Sequence, residues 1–259
     1  MAEDSRDTRT VSRCKASASN GDVQQDLDRC MILCVPVEIT RMILGKLEIQ
    51  DLIAVAGVCR AWRVLSLQLD NVDLDFWWCK PNVSHELFSL WCDRFPRATR
   101  AALYAGMMPR GSDIYVEDGY VITLANKCPN LTHFTFKECL LSDKAVAYLA
   151  EHCPGLQYVN LNYCWRLSNA AVGALAAKCC GITHISLFYC TKLQDEAIKD
   201  LAIKCPGLTH VNVGGCFLLT DGAIGVLIDK CAKLQTLNVS HCWQMKVNLR
   251  THGLNSNAF

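Results

Sequence analysis

Two residue types in this chain of 259 residues have the number and spacing to do chemistry: 17 are cysteine and 7 are histidine. Cysteine attacks a substrate or binds a metal as the thiolate, which needs exposure and a lowered pKa. Zinc ribbons and dithiol oxidoreductases use C-x-x-C pairs, and no such pair occurs; the adjacent Cys179 and Cys180 are not a chelating spacing. Ten of the thiols instead fall in two columns. One is Cys128, Cys153, Cys179, Cys205 and Cys231; the other is Cys139, Cys164, Cys190, Cys216 and Cys242. Both advance by 25, 26, 26 and 26 residues. A fixed period of this size is the signature of stacked repeats. A free cysteine packs as a small hydrophobe, so the columns are expected to fill an interior and not to relay thiol chemistry. His133, His184 and His210 form a near-column with Tyr158. Such a row would bind a metal or sense pH, but no acid or thiol joins it, and a solvated polar ladder is expected.

The elements that hold these columns are legible in each unit. The frame is C-x-x-[LI]-x-x-φ-x-φ-x-x-C, with φ apolar. Its centre is an alternation of period two (Phe134/Phe136, Val159/Leu161, Ile185/Leu187, Val211/Val213, Leu237/Val239), which reads as a strand. A polar pair follows (Ser142-Asp143, Ser168-Asn169, Gln194-Asp195, Thr220-Asp221), rich in helix N-cap residues. The period then becomes helical, as in Val146, Leu149, Ala150 and Cys153, and again from Val172, Ile198 and Ile224. Pro154-Gly155 and Pro206-Gly207 read as helix stops. The same grammar extends upstream, with a cap at Glu117-Asp118, strands at Ala101/Leu103 and Val72/Leu74, and a helix over 83–94 between those strands. Strands pack about 4.8 Å apart and helices about 10 Å. Strands therefore line the inside of a curve and helices the outside.

Composition excludes several function classes. Hydrophobic residues make up 51% and charged residues 20% of the chain, which is incompatible with disorder throughout. The formal net charge of +1 supplies no field for non-specific nucleic-acid binding. No apolar run is long enough to span a bilayer. Residues 1–29 are polar, so no secretory signal is expected, and a reduced cytoplasmic or nuclear setting suits the many thiols. The tripeptides at Asn82, Asn130 and Asn238 are discounted as glycosylation sites on that ground. No P-loop, G-x-G-x-x-G, H-E-x-x-H or G-x-S-x-G motif occurs.

Residues 117–242 keep the L-x-φ…C-x-x-φ-[ST]-[DN] frame over four full units and resemble the cysteine-containing class of leucine-rich repeats. Ahead of them, Val35-Pro36-Val37-Glu38, then Leu47 to Asp51-Leu52, then Val58-Cys59-Arg60-Ala61-Trp62 resemble an F-box, with Val35 in place of the usual Leu. The two resemblances imply an α/β fold: a right-handed leucine-rich-repeat horseshoe preceded by a small all-α F-box. The expected organisation is a disordered tail over 1–30, the F-box over 33–66, repeats over 70–243 and an irregular tail over 244–259. The F-box resemblance implies docking on the Skp adaptor of a cullin–RING ubiquitin ligase through Val35, Pro36, Ile39, Ile43, Leu47, Leu52 and Val58. Trp62 is left open between that face and an anchor to the first repeat. The pairing with repeats implies a non-catalytic subunit that holds a protein substrate, with no cofactor and no metal. The competing class is a repeat scaffold or inhibitor without a ligase. A thiol enzyme is a third reading, which the columns disfavour.

Side chains between the buried strand positions are expected on the inner face. They form the columns Thr135, Asn160, Ser186, Asn212, Asn238; Lys137, Asn162, Phe188, Gly214, Ser240; and Glu138, Tyr163, Tyr189, Gly215, His241. Trp165, Phe217 and Trp243 follow at the rim. Aromatics beside small polar residues suit a protein-binding patch. The candidate substrate contacts are Lys137, Glu138, Asn162, Tyr163, Trp165, Phe188, Tyr189, Phe217, His241 and Trp243, with Gly214 and Gly215 expected to leave a dip. For Trp165 and Trp243, folding over the strand–helix corner is an equal alternative. After Val239 and Cys242 the helical pattern stops, so the final strand is expected to keep an open edge, covered by another chain or by a longer version of this one.

Overall fold

A computed structural model describes residues 37–58, 60–67, 69, 72–75, 84–104 and 116–246. The chain divides into two compact units, 1–68 and 69–259. The expected tail over 1–30 and most of the one over 244–259 lie outside the described residues.

The first unit holds α1 (Val37–Leu44), α2 (Ile49–Val58) and α3 (Arg60–Leu67). Among its described residues, Leu44, Leu52, Ala56 and Leu65 are buried apolar side chains. Burying each large one stabilises the unit by roughly 1.5–3 kcal/mol.

The second unit alternates strand and helix: β1 (Asp73–Asp75), α4 (His85–Arg94), β2 (Arg100–Tyr104), α5 (Asp118–Lys127), β3 (His133–Lys137), α6 (Asp143–His152), β4 (Tyr158–Asn160), α7 (Asn169–Lys178), β5 (His184–Ser186), α8 (Asp195–Lys204), β6 (His210–Asn212), α9 (Asp221–Lys230) and β7 (Thr236–Asn238). All pairs are parallel and in sequence order, β1 to β7. Each strand turns its apolar residues, such as Val159 and Leu161, onto a helix stripe such as Val146, Leu149 and Ala150, and all are buried. Neither layer can bury this surface alone, so each unit depends on its neighbours.

Both cysteine columns are interior. All ten thiols are buried; nine donate to backbone carbonyls of the preceding unit, while Cys139 donates to Lys137 O within its own. Cys190 Sγ lies 3.2 Å from Leu161 O, Cys216 Sγ 3.3 Å from Leu187 O, and Cys179 Sγ 3.6 Å from Cys153 O. The first column also ends the helices. Cys153, Cys179 and Cys205 are C-caps with φ between −113° and −124° and ψ near 61–62°. The helices end at His152 and Lys204, just before Pro154-Gly155 and Pro206-Gly207, as those pairs lead one to expect, although neither glycine is left-handed. Phe95 takes the same shape at the end of α4, with φ −123° and ψ 62°, so the cap depends on neither a thiol nor the next residue; in each case the cap N–H donates to the carbonyl four residues earlier.

The polar pairs do two jobs, of which only the first was expected. Ser142, Ser168 and Thr220 cap their own helices. Gln194 makes no side-chain cap. The second member of each pair reaches to the next unit. Asp143 accepts from Ser168 N (2.8 Å) and Oγ (2.6 Å), and Asp195 from Thr220 N (2.8 Å) and Oγ1 (2.6 Å). Asn169 accepts from Gln194 N at 2.8 Å. The series runs on to Asp221, which accepts from Lys246 N at 2.9 Å. The same contact is thus repeated at Lys246, in the segment after the last strand. β7 is the last strand of the sheet and pairs with β6 alone among the described residues, so its far edge has no described strand partner, as expected, although the side chains of Thr236, Leu237 and Asn238 are buried.

Candidate protein-binding surfaces

On the first unit, an eight-residue α1 cannot bury all its apolar side chains. Leu44 turns inward, while Ile39 (44% exposed), Met42 (64%) and Ile43 (56%) face outward, as does Val58 (66%) at the end of α2. These are large apolar groups left in water, and surfaces of this kind mark interaction sites. Of the expected adaptor contacts, Ile39, Ile43 and Val58 are exposed and Leu47 is half-buried. Leu52 is a correction: at 2% exposed it belongs to the interior of the unit. Val35 and Pro36 lie outside the described residues. Met42 was missed, although its position three residues after Ile39 places it on the same helical face.

On the second unit, the chain leaves each of β3 to β7 through a left-handed residue. Glu138, Tyr163, Tyr189 and His241 have φ of 58–62°, and Gly215 has φ 72°. A side chain there costs roughly 1–2 kcal/mol and persists only when its surroundings fix it. Two sets of bonds do so. Four of the left-handed N–H groups donate to a carbonyl of the next unit, Glu138 to Asn162 O (2.9 Å), Tyr163 to Phe188 O (2.7 Å), Tyr189 to Gly214 O (2.8 Å) and Gly215 to Ser240 O (2.7 Å). Before the turn, Asn160, Asn212 and Asn238 accept from the backbone two residues on. Asn162 Oδ1 accepts from Ser186 Oγ at 2.6 Å and Phe188 N at 3.0 Å. The column Asn160, Ser186, Asn212 and Asn238, expected outward, is consequently buried, and only Thr135 is half-exposed. Asn162 is half-buried, and its carbonyl oxygen serves the fold and is not free for a client.

The turn re-aims the aromatics. Tyr163 stacks on Tyr189 (5.4 Å, 16°) and meets Phe188 edge-on at 5.4 Å. Tyr189 meets Phe217 edge-on at 5.8 Å and His241 at 6.1 Å. The dip expected at Gly214 and Gly215 is filled by these rings. A Cβ on Gly214 would come within 2.8 Å of the Phe188 ring, and one on Gly215 within 2.6 Å of the Tyr189 ring. Tyr163 (42% exposed), Trp165 (51%) and Trp243 (77%) stand out from the cluster. Arg166 lies 5.8 Å from the Trp165 ring, and Lys137 Nζ 5.2 Å from Tyr104. Tyr163, Phe188, Tyr189, Phe217, His241 and Trp243 are thus brought together; Lys137 lies beside Tyr104, and Glu138 N donates to Asn162 O.

A cleft of about 560 Å³ that residue spacing did not announce opens on the β1–β5 half of the inner face. Asp73, Arg100, Tyr104, His133, Tyr158 and His184 line it. Arg100 Nε sits 3.3 Å from Asp73, and burial raises the Asp73 pKa against that pairing. The signal lay in the register: Asp73 and Arg100 pair into the histidine column, but the irregular upstream spacing hid it.

Thiol chemistry does not suit these surfaces. Burial pushes the Cys153, Cys164, Cys179 and Cys216 pKa values up to about 12, and Cys205 to about 11, so the column thiols stay protonated. Among the described residues no cluster of three or more His, Cys, Asp or Glu is placed to hold a metal. No described helix is long and apolar enough to cross a membrane.

The fold is that of alternating β-α repeats on one parallel sheet, behind a small helical unit. Residues 32–69 match the family model described as F-box-like. The structure is similar to one chain of the yeast Rad7 and Elc1 complex, with a TM-score of 0.58 and 19% identity over 68% of this chain. The match spans 44% of that chain, so this one corresponds to less than half of it. No curated protein matches the sequence.

Proposed function

We propose that this chain is the substrate-recognition subunit of a Skp–cullin–F-box ubiquitin ligase, with the repeats, of the leucine-rich class, holding the protein to be ubiquitinated. The observation that carries the reading is the F-box-like segment with Ile39, Met42, Ile43 and Val58 left uncovered ahead of a repeat array. F-box domains generally bind Skp-type adaptors, and an adaptor groove would remove this apolar surface from water, at about 25 cal/mol per Å². The similar yeast structure is likewise of a complex, that of Rad7 with Elc1. The client site is the aromatic rim, where Tyr163, Trp165 and Trp243 offer large flat anchors. The chain itself is non-catalytic: its protonated, buried thiols suit no relay, and it serves by holding the client close to catalytic subunits. Its place is the cytoplasm or nucleus.

The test is an affinity capture from cells with the proteasome and cullin activation blocked, comparing the wild-type chain with a Tyr163→Ala/Trp165→Ala variant. The reading predicts client proteins that disappear from the variant while the Skp adaptor remains. Clients retained equally by both would reject the rim. Clients without any adaptor would favour a scaffold that works apart from a ligase.

A further inference from the structure

The rim has a regular outer edge. Just beyond the left-handed residues the chain makes the same turn four times. Leu167 N donates to Cys164 O (3.1 Å), Leu193 N to Cys190 O (3.2 Å), Leu219 N to Cys216 O (3.2 Å) and Met245 N to Cys242 O (3.1 Å). The four cysteines and the three leucines are buried, so the turns are pinned from inside and their two central residues are left outside. Those residues are Trp165-Arg166, Thr191-Lys192, Phe217-Leu218 and Trp243-Gln244. Bonds between units flank the turns and hold them in step, Tyr163 N to Phe188 O before them and Gln194 N to Asn169 Oδ1 after them.

The four turns carry two cations and no acid. Arg166 and Lys192 are exposed and hold the same place in neighbouring turns. Among the described residues no carboxylate pairs with either. The cap acids Asp143 and Asp195 are taken up by Ser168 and Thr220. Like charges one strand apart repel, and an anionic partner relieves that. The next two turns carry no charge and expose Leu218 and Trp243.

We propose that this edge reads a client segment in which a pair of acidic residues lies four or five positions from a large apolar or aromatic one. The acids sit over Arg166 and Lys192, with the guanidinium already resting on the Trp165 ring, and the apolar side chain reaches Leu218 and Trp243. Neighbouring strands are about 4.8 Å apart, so three steps from the Arg166 turn to the Trp243 turn cover about 15 Å; an extended chain advancing about 3.3 Å per residue spans that in four or five residues. A nucleic-acid strand would stack on the same rings, but two cations are too few to hold its backbone. The proposal rests on the repeats holding a client and is independent of the ligase.

The experiment pans a phage-displayed library of random twelve-residue peptides on the purified full chain. Arg166→Glu/Lys192→Glu and Tyr163→Ala/Trp165→Ala variants, checked for native circular dichroism, are panned beside it. The wild-type chain is expected to enrich peptides with two Asp or Glu four or five positions from Trp, Phe or Leu, and the charge-reversed variant to enrich Lys or Arg in their place. The leading wild-type peptide, labelled with fluorescein and followed by anisotropy, is expected to bind the reversed variant at least about tenfold more weakly. Arg166→Gln/Lys192→Gln, which adds no new charge, is expected to weaken it less. No enriched family, no acidic bias, equal affinity in the reversed variant, or tighter binding of a labelled twelve-residue oligothymidine would overturn the proposal. Peptides that survive charge reversal but are lost with Tyr163→Ala/Trp165→Ala reject the acidic class and leave the rim as the client site; peptides that survive both reject the rim as well.

Discussion

At the scale of single residues, the surface is built by side chains held in costly places. Gly215 is the one member of the left-handed column without a side chain, and the Tyr189 ring occupies the space above it. Gly215→Ala therefore adds both backbone strain and a clash. It should lower stability by about 1–3 kcal/mol, read from the urea midpoint, and loosen the Tyr163–Tyr189 stack. The half-buried imidazoles set a second expectation. Burial lowers the pKa of His133 and His184 in the folded protein, so the unfolded chain binds more protons between the folded values and about 6.5. Stability is then highest above pH 6.5 and falls as pH drops through that window. Thermal melts at pH 7.5 and 5.5 should show the lower midpoint in acid, and the difference should shrink in a His133→Gln/His184→Gln variant.

At the scale of elements, the repeat is clamped at three corners: thiol to carbonyl, asparagine to backbone, and acid to the next cap. Asp195 shows the third. Burial tends to raise its pKa, but hydrogen bonds from Thr220 and the nearby Lys199 outweigh this and lower it. Asp195→Ala leaves the Thr220 N–H and hydroxyl unpaired and should cost about 1–2 kcal/mol; Asp195→Asn keeps one acceptor and should cost less. The contribution of the wild-type carboxylate persists above its ordinary pKa and is lost as pH falls through its lowered one. The column thiols make a separate prediction. Iodoacetamide at pH 8 should leave the ten column cysteines unmodified in the folded chain while labelling exposed Cys180, as read by peptide mass spectrometry.

This is also where the reach of the sequence is clearest. Two columns in step and a switch of period from two to helical define every strand and helix from β3 onward, because a repeated burial pattern has one simple solution. Even the irregular first strands follow from Val72/Leu74 and Ala101/Leu103. What the pattern misses depends on single bonds between units. Asn160 and Asn212 sit at outward positions by alternation, yet adjacent strands crowd them and their amides are used by the turn. Gly214 and Gly215 look like a dip only while the rings of Phe188 and Tyr189 are unplaced. Leu52 reads as a docking residue from its motif, but three short helices need it inside.

At the scale of the whole molecule, the account assigns one unit to a ligase and the other to a client. The two should be separable by mutation. Changes at the rim leave adaptor capture intact, and changes on α1 leave the repeats folded, since the units have separate interiors. The most direct measurement is titration of the purified full chain with a recombinant Skp adaptor, beside an Ile39→Asp/Ile43→Asp variant whose helical signal is checked by circular dichroism. A one-to-one complex that the variant weakens at least about tenfold is the predicted result. No complex with the wild-type chain, or equal affinity in the variant, would contradict the account.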